Sequence, residues 1–168
     1  MYLKESKEVL RKAALFRDLS APHLDLILTI CEETFYNAGQ FIFRQDDVGD
    51  ALYLIADGEV DILLESSDEG NKPILLATLH SGEIFGEIVL LEAGHRTASA
   101  RARTDAHLLR MPRRRLLGLL NDYPEVGYRI MRRMAIDLVN KLRSANRSMR
   151  ENIVWQPLDE LEDEEQAE

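Results

Sequence analysis

Between Ile84 and Ser99 the chain reads I-F-G-E-I-V-L-L-E-A-G-H-R-T-A-S, and three of its residues could together hold an anion beside a hydroxyl. Arg96 carries a planar guanidinium that can give two parallel, charge-assisted hydrogen bonds to a pair of anionic oxygens. Glu87, when ionised, only accepts hydrogen bonds, which suits a neutral hydroxyl. Gly86 lets backbone approach where a Cβ would clash. Arg96 and Glu87 could equally form a plain salt bridge on a loop. The ordered pattern separates the two readings: glycine, glutamate, an apolar turn, arginine, then Thr97-Ala98 before an alternating strand.

No other constellation competes with this one. His23, His80, His95 and His107 are scattered and lack metal-ligand spacing, so no metal is expected. Cys31, the one cysteine, rules out a disulfide framework within the chain and sits on an apolar helical stripe, as a buried inert thiol would. No Ser/His/Asp spacing or carboxylate pair suggests catalysis, so an enzyme is not expected.

The elements that must position these residues follow from hydrophobic periodicity. Residues 3–16 have helical spacing, and Ser20 and Pro22 are the cap and first turn of a second helix running to about Glu33. From Gln40 the period shortens. Phe41–Phe43, the continuous apolar run Ala51–Ala56, the turn Asp57-Gly58, and Val60, Ile62 and Leu64 alternating with Asp61, Leu63 and Glu65 all read as strands. A polar loop at Ser66–Pro73 follows, then strands at Ile74–Leu79, at 98–102 and at His107–Met111. Many short strands at even spacing indicate a mainly β jelly-roll barrel with flanking helices. Pro112 opens a further helix that breaks at Asn121–Pro124. A long helix then carries Val126, Ile130, Met134, Leu138, Leu142, Ala145 and Met149 close to a heptad seam.

With the elements placed, the segment 84–99 resembles the phosphate-binding cassette of the cyclic-nucleotide-binding domain family. That family includes catabolite-activator-type regulators, kinase regulatory subunits and nucleotide-gated channels. The stretch G-Q-F-I-F-R-Q-D-D-V-G-D-A-L-Y-L-I-A-D-G-E-V-D-I at 39–62 is similar to the family's first strands, and the resemblance covers about residues 10–150. It implies that Arg96 binds the phosphate of a 3′,5′-cyclic nucleotide and Glu87 its free 2′-hydroxyl. It also implies a short helix at Glu87–Leu91 whose first N–H groups point at the phosphate, with Thr97 and the backbone of Ala98 completing the cradle. Phe85, Gly86, Ile88 and Val89 line the same site. Arg133, Met134 and Asp137 are the candidates for a cap over the base. Two positions depart from the family pattern: Val89 replaces a small residue and Asp46 a turn glycine, a place where aspartate tolerates left-handed backbone better than most residues. Thr97 could reach a guanine edge, but bacterial members with a hydroxyl here resemble cyclic AMP binders, so cAMP is expected over cGMP.

The formal net charge of −9 is segmented. Residues 1–100 balance at −10, residues 101–150 at +9 and residues 151–168 at −8. The basic segment would tolerate nucleic acid. However, only 18 residues follow Arg150, eight of them acidic and none basic, so no helix-turn-helix module and no sequence-specific DNA binding is expected. No apolar run reaches the about 18 residues of a membrane span, and the charged N-terminus lacks a secretory core. The expectation is a cytoplasmic stand-alone sensor. N-terminal helices occupy residues 1–35, the barrel 36–111, the hinge and long helix 112–152, and an acidic tail 153–168. The sensor would form a homodimer through 126–149 and act on an unknown downstream protein. The alternative is a degenerate domain that binds no nucleotide and serves as a dimeric interaction module.

Overall fold

The structure is a computed structural model that describes residues 2–65 and 72–152. Most of the expected polar loop at Ser66–Pro73 and the acidic tail lie outside the described residues. The chain divides into two compact units, Met1–Arg133 and Met134–Glu168.

The apolar run at Ala51 sets the architecture of the first unit. It forms β3 (Ala51–Asp57), in which Ala51, Tyr53 and Ile55 belong to one core while Leu52 and Leu54 point to the opposite face; all five are buried. A strand buried on both faces needs cover on both. One cover is a second sheet and the other is helical.

β3 lies in a four-stranded sheet between β8 (Ala106–Pro112) and β6 (Ile84–Phe85), with β1 (Glu32–Tyr36) outside β8. The second sheet has the order β2 (Phe41–Phe43), β7 (Ser99–Ala102), β4 (Val60–Leu64), β5 (Ile74–Leu79). Every pairing is antiparallel. The two sheets form the expected jelly roll. Its core adds Val60, Phe85, Ala100, Ala102 and Leu108 to the inward residues of β3. Phe43, Tyr53 and Phe85 cluster with ring centroids 5.3–5.9 Å apart, and Ala100 stands opposite Phe43 across the β2–β7 pair. A small residue there leaves volume for the rings, as close packing requires.

The helical cover comprises α1 (Tyr2–Lys12), a 3-10 turn at Ala14–Phe16, α2 (Ala21–Ile30), α3 (Arg113–Asp122) and the start of α4 (Pro124–Asn152). Leu10, Phe16, Leu24, Ile27, Leu116 and Ile130 are fully buried. Ser20 caps α2, its Oγ accepting from the His23 N–H at 3.5 Å, and Pro22 lies in the first turn.

The sequence expectations shift in three places. The second helix stops at Ile30, where Cys31 turns extended (ψ 141°), and β1 takes the β-forming Thr34, Phe35 and Tyr36. The alternation expected along β4 breaks at a register shift between Ile62 and Leu63, which buries Leu63 and exposes Leu64. Pro112 is the N-cap of α3, one residue before the first turn. In the second unit, α4 presents Ile136, Leu138, Val139 and Leu142 as exposed apolar side chains. Among the described residues no helix is long and apolar enough to cross a membrane, and no cluster of potential metal ligands occurs.

Candidate functional site

Two loops create the site by pairing with each other. The Gly49 N–H donates to the Gly94 carbonyl (2.9 Å), the Arg96 N–H to Asp47 (2.8 Å) and the Asp46 N–H to Arg96 (2.9 Å), with a β-bridge joining Val48 to His95. This register needs a left-handed residue at position 46, and Asp46 supplies it at φ +67°. Gly49 is held to small size by the approach, since a Cβ there would meet the Gly94 carbonyl at 3.3 Å. The pairing fixes the Arg96 backbone, and its side chain then enters the barrel.

Arg96 is buried, with 6% of its surface exposed. Its Nη2 donates to the Ala51 carbonyl at 2.7 Å and its Nη1 to the Gly86 carbonyl at 3.4 Å. The guanidinium carbon sits 4.0 Å over the Phe43 ring, and the Asp50 carboxylate is 3.8 Å from Nη2. A charge at this depth needs such partners, because desolvation disfavours the charged form. Burial does lower the Arg96 pKa, with the nearby Tyr53 and Asp50 opposing it. A guanidinium remains cationic at neutral pH regardless. Its Nε is buried without a hydrogen-bond partner.

Gly86 shows how closely the backbone approaches this cation. Its φ is +72°, and a Cβ on it would lie 2.7 Å from Arg96 Nη1 and 3.3 Å from the Ala51 carbonyl. Gly86 caps a 3-10 turn at Glu87–Leu90 where a short helix was expected. The turn tightens because Leu91 N donates to the Ile88 carbonyl at 3.0 Å.

Phe85, Gly86, Glu87, Ile88, Val89, Arg96, Thr97 and Ala98 all line one cavity of about 600 Å³. Glu87 is half-buried, Thr97 is exposed at the rim, and Val89 is buried. The structure places Arg133 elsewhere. It is held by the Asp18 carboxylate through Nε at 2.5 Å and Nη2 at 2.8 Å, so its positive charge is already matched. Met134 begins the second unit. Sequence reasoning missed Phe43, Gly49 and Ile62 as lining residues, and within the segment 84–99 it did not single out Glu92, Ala93, Gly94 and His95. A signal existed for the glycines, which flank the two loops, but their pairing is a long-range contact that periodicity does not encode.

The site therefore joins a buried cation with an unpaired N–H, a backbone position that excludes a Cβ and a cavity of about 600 Å³, all within a β-sandwich. The comparisons with known proteins narrow the class. The cyclic nucleotide-binding domain family matches residues 33–123. The chain is 36% identical over 137 residues to the "Cyclic AMP receptor protein" of Thermus thermophilus, covering 82% of this chain and 61% of that protein. It is 31% identical over 140 residues to the human "Cyclic nucleotide-gated channel beta-3", covering 82% of this chain and 17% of the channel. The crystal structure of Thermus thermophilus Catabolite Activator Protein superposes with a TM-score of 0.71 at 36% identity, over 82% of this chain and 62% of that one. The chain belongs to the cyclic nucleotide-binding domain family, and it spans less than two thirds of the length of these relatives.

Proposed function

We propose that the protein is a cyclic-nucleotide sensor, binding cAMP in preference to cGMP, and that it transmits occupancy through its helices. The observation that carries the reading is Arg96: a buried guanidinium whose Nε lacks a partner, at the wall of a cavity that Gly86 keeps open. These residues fit a singly charged cyclic phosphate. Arg96 would take two phosphate oxygens, Glu87 the ribose 2′-hydroxyl, and backbone N–H groups near Thr97 and Ala98 the remaining phosphate contacts. Each charge-assisted hydrogen bond contributes about 1.5–3 kcal/mol, so three or four reach the roughly 8 kcal/mol of micromolar binding before the base contributes. The preference for cAMP is supported by the relative whose name records a cyclic AMP receptor.

Binding would draw in the turn at Glu87–Leu90. The buried Leu90 then repacks near α3, and the motion reaches the break at Tyr123–Pro124 where α4 begins. A ligand shifts such an equilibrium only by its differential affinity for the two states. The exposed Leu138 and Leu142 support the later part of a homodimer seam through 126–149, its earlier residues Val126, Ile130 and Met134 being buried within the chain, and a downstream protein would read the change. A sedimentation mass near 19 kDa at high concentration overturns the dimer.

The deciding experiment is calorimetric titration with cAMP and cGMP. Wild type is expected to bind at sub-millimolar concentration and Arg96→Ala to lose binding; binding that survives Arg96→Ala overturns the site. One observation favours a second reading, a non-binding interaction module: one N–H of Arg96 Nη2 is already spent on the Ala51 carbonyl. A panel of cyclic mono- and dinucleotides giving no thermal shift would select it.

A further inference from the structure

α3 breaks a rule of helix design. Its first three residues are Arg113, Arg114 and Arg115, there is no acidic residue in its first turn, and no side chain caps it. Cations at a helix N-terminus oppose the backbone dipole. A local rule broken in this way points to a compensating role elsewhere. For Arg113 the structure shows one. Its N–H donates to the Asp50 carbonyl at 2.7 Å, and its Nε donates to the Val89 carbonyl at 2.6 Å. One residue therefore bonds both halves of the anion site, the loop that carries Asp50 and the 3-10 turn that follows Gly86.

We infer that Arg113 is a positioning residue for the ligand site, a role that rests on the cyclic-nucleotide reading above. The argument is geometric. In a 3-10 turn the carbonyls point along the axis away from the N–H groups. The last carbonyls lack partners within the turn. Arg113 satisfies one of them, at Val89, with a charged donor, and so fixes the direction in which the turn presents Gly86 and Glu87 to Arg96. It anchors the same carbonyl to the first residue of α3, so the turn cannot rotate without loading α3. The buried Val89 has a second use here: its backbone is the acceptor of this contact.

The test uses the full chain with Arg113→Met, which keeps the aliphatic stem and removes the donors, and Arg113→Lys, which keeps the charge. Calorimetry with cAMP is expected to show about tenfold weaker binding for Arg113→Met, the equivalent of one charged hydrogen bond, and partial recovery for Arg113→Lys. Hydrogen exchange in the ligand-free protein is expected to accelerate at Leu91 and Glu92, whose N–H groups bond to Ile88, while β3 and β8 stay protected. A purely structural role would lower the melting temperature without moving either readout. Wild-type binding with Arg113→Met within twofold of it overturns the inference. If Arg113→Met does not fold, Arg113→Lys carries both readouts. If wild type binds no nucleotide, the functional reading fails by itself, and unchanged exchange at 91 and 92 in the variant then overturns the positioning role as well.

Discussion

Gly86→Ala separates the cost of an unusual backbone from the cost of blocking a cation. Gly86 has φ +72°, and a methyl there would sit 2.7 Å from Arg96 Nη1 and 3.3 Å from the Ala51 carbonyl. A left-handed conformation costs a non-glycine residue about 1–2 kcal/mol. At about 2–4 °C per kcal/mol for a protein of this size, the melting temperature should fall by about 2–8 °C. The collision adds a second effect. The carbonyl is part of β3 and cannot yield, so the guanidinium must, and it leaves the position from which it would meet a phosphate. Losing one charged hydrogen bond weakens binding by about tenfold or more. Gly82→Ala is the matched control: its φ is +90° and nothing lies within 4 Å of its Cβ position. It should lose similar stability and keep wild-type affinity. Both variants are measured by thermal unfolding without ligand and by calorimetric titration with cAMP. Equal affinity in Gly86→Ala and wild type would refute the assignment of Arg96 as the anion anchor, because the substitution cannot leave that side chain where it is.

Three further outcomes follow from individual residues. Asp46 holds φ +67° where the family favours glycine, so Asp46→Gly should keep or raise stability by up to about 1 kcal/mol and Asp46→Val should lose about 1–2 kcal/mol in urea unfolding. Burial pushes the Cys31 thiol up to about 12, so iodoacetamide at pH 8 should leave the native protein unmodified and label it once urea unfolds it. The bond from Arg133, then its charge, holds the Asp18 carboxyl below its ordinary value of 3.8 against a desolvation that would raise it. A lowered folded pKa means that this pair stabilises the protein above pH about 4 and that the stabilisation is lost as pH falls through the folded value. Asp18→Asn should therefore flatten the stability profile below pH 4 and leave a constant deficit at pH 7, as read from urea midpoints.

The sequence shows the strands that alternate, the capped helix at Ser20 and a break within Asn121–Pro124, which the structure narrows to Tyr123, because these are local signals. It does not show β1, since Glu32–Tyr36 follows a helix directly and only its pairing with β8 makes it a strand. Nor does it show the inward turn of Leu63, which depends on a register shift against β5. At the site, residue type and order single out Gly86, Glu87 and Arg96, and the structure brings all three to one cavity. Arg133 is one of three candidates for a base cap on the long helix, and its pairing with Asp18, 115 residues away, is a contact that periodicity does not encode. Phe43 and Gly49 escaped notice because their proximity to Arg96 is produced by two loops pairing across the fold.

The same contacts show how a protein with net charge −9 would hold an anion on the proposed reading. Several acidic groups of the first unit are engaged by the basic segment. Asp18 holds Arg133, Glu32 holds Arg110 and Arg115, and Asp50 holds Arg110. For Arg110, desolvation works against the charged form, but the bonds from Glu32 and Tyr53 and the charge of Asp50 prevail and raise its pKa. These pairs are local, and exposed charges beyond a Debye length of about 8 Å are screened. Arg96 is different in kind. Its nearest carboxylate is 3.8 Å away, its strongest bond is to a neutral carbonyl, and one N–H is unspent. Arg110, Arg115 and Arg133 are thus paired with carboxylates, whereas the buried Arg96 keeps an N–H unspent. A buried, under-satisfied cation attracts an anion through contact, so the global field matters little. On the proposed reading, the cavity and not the charge of the chain would select the ligand.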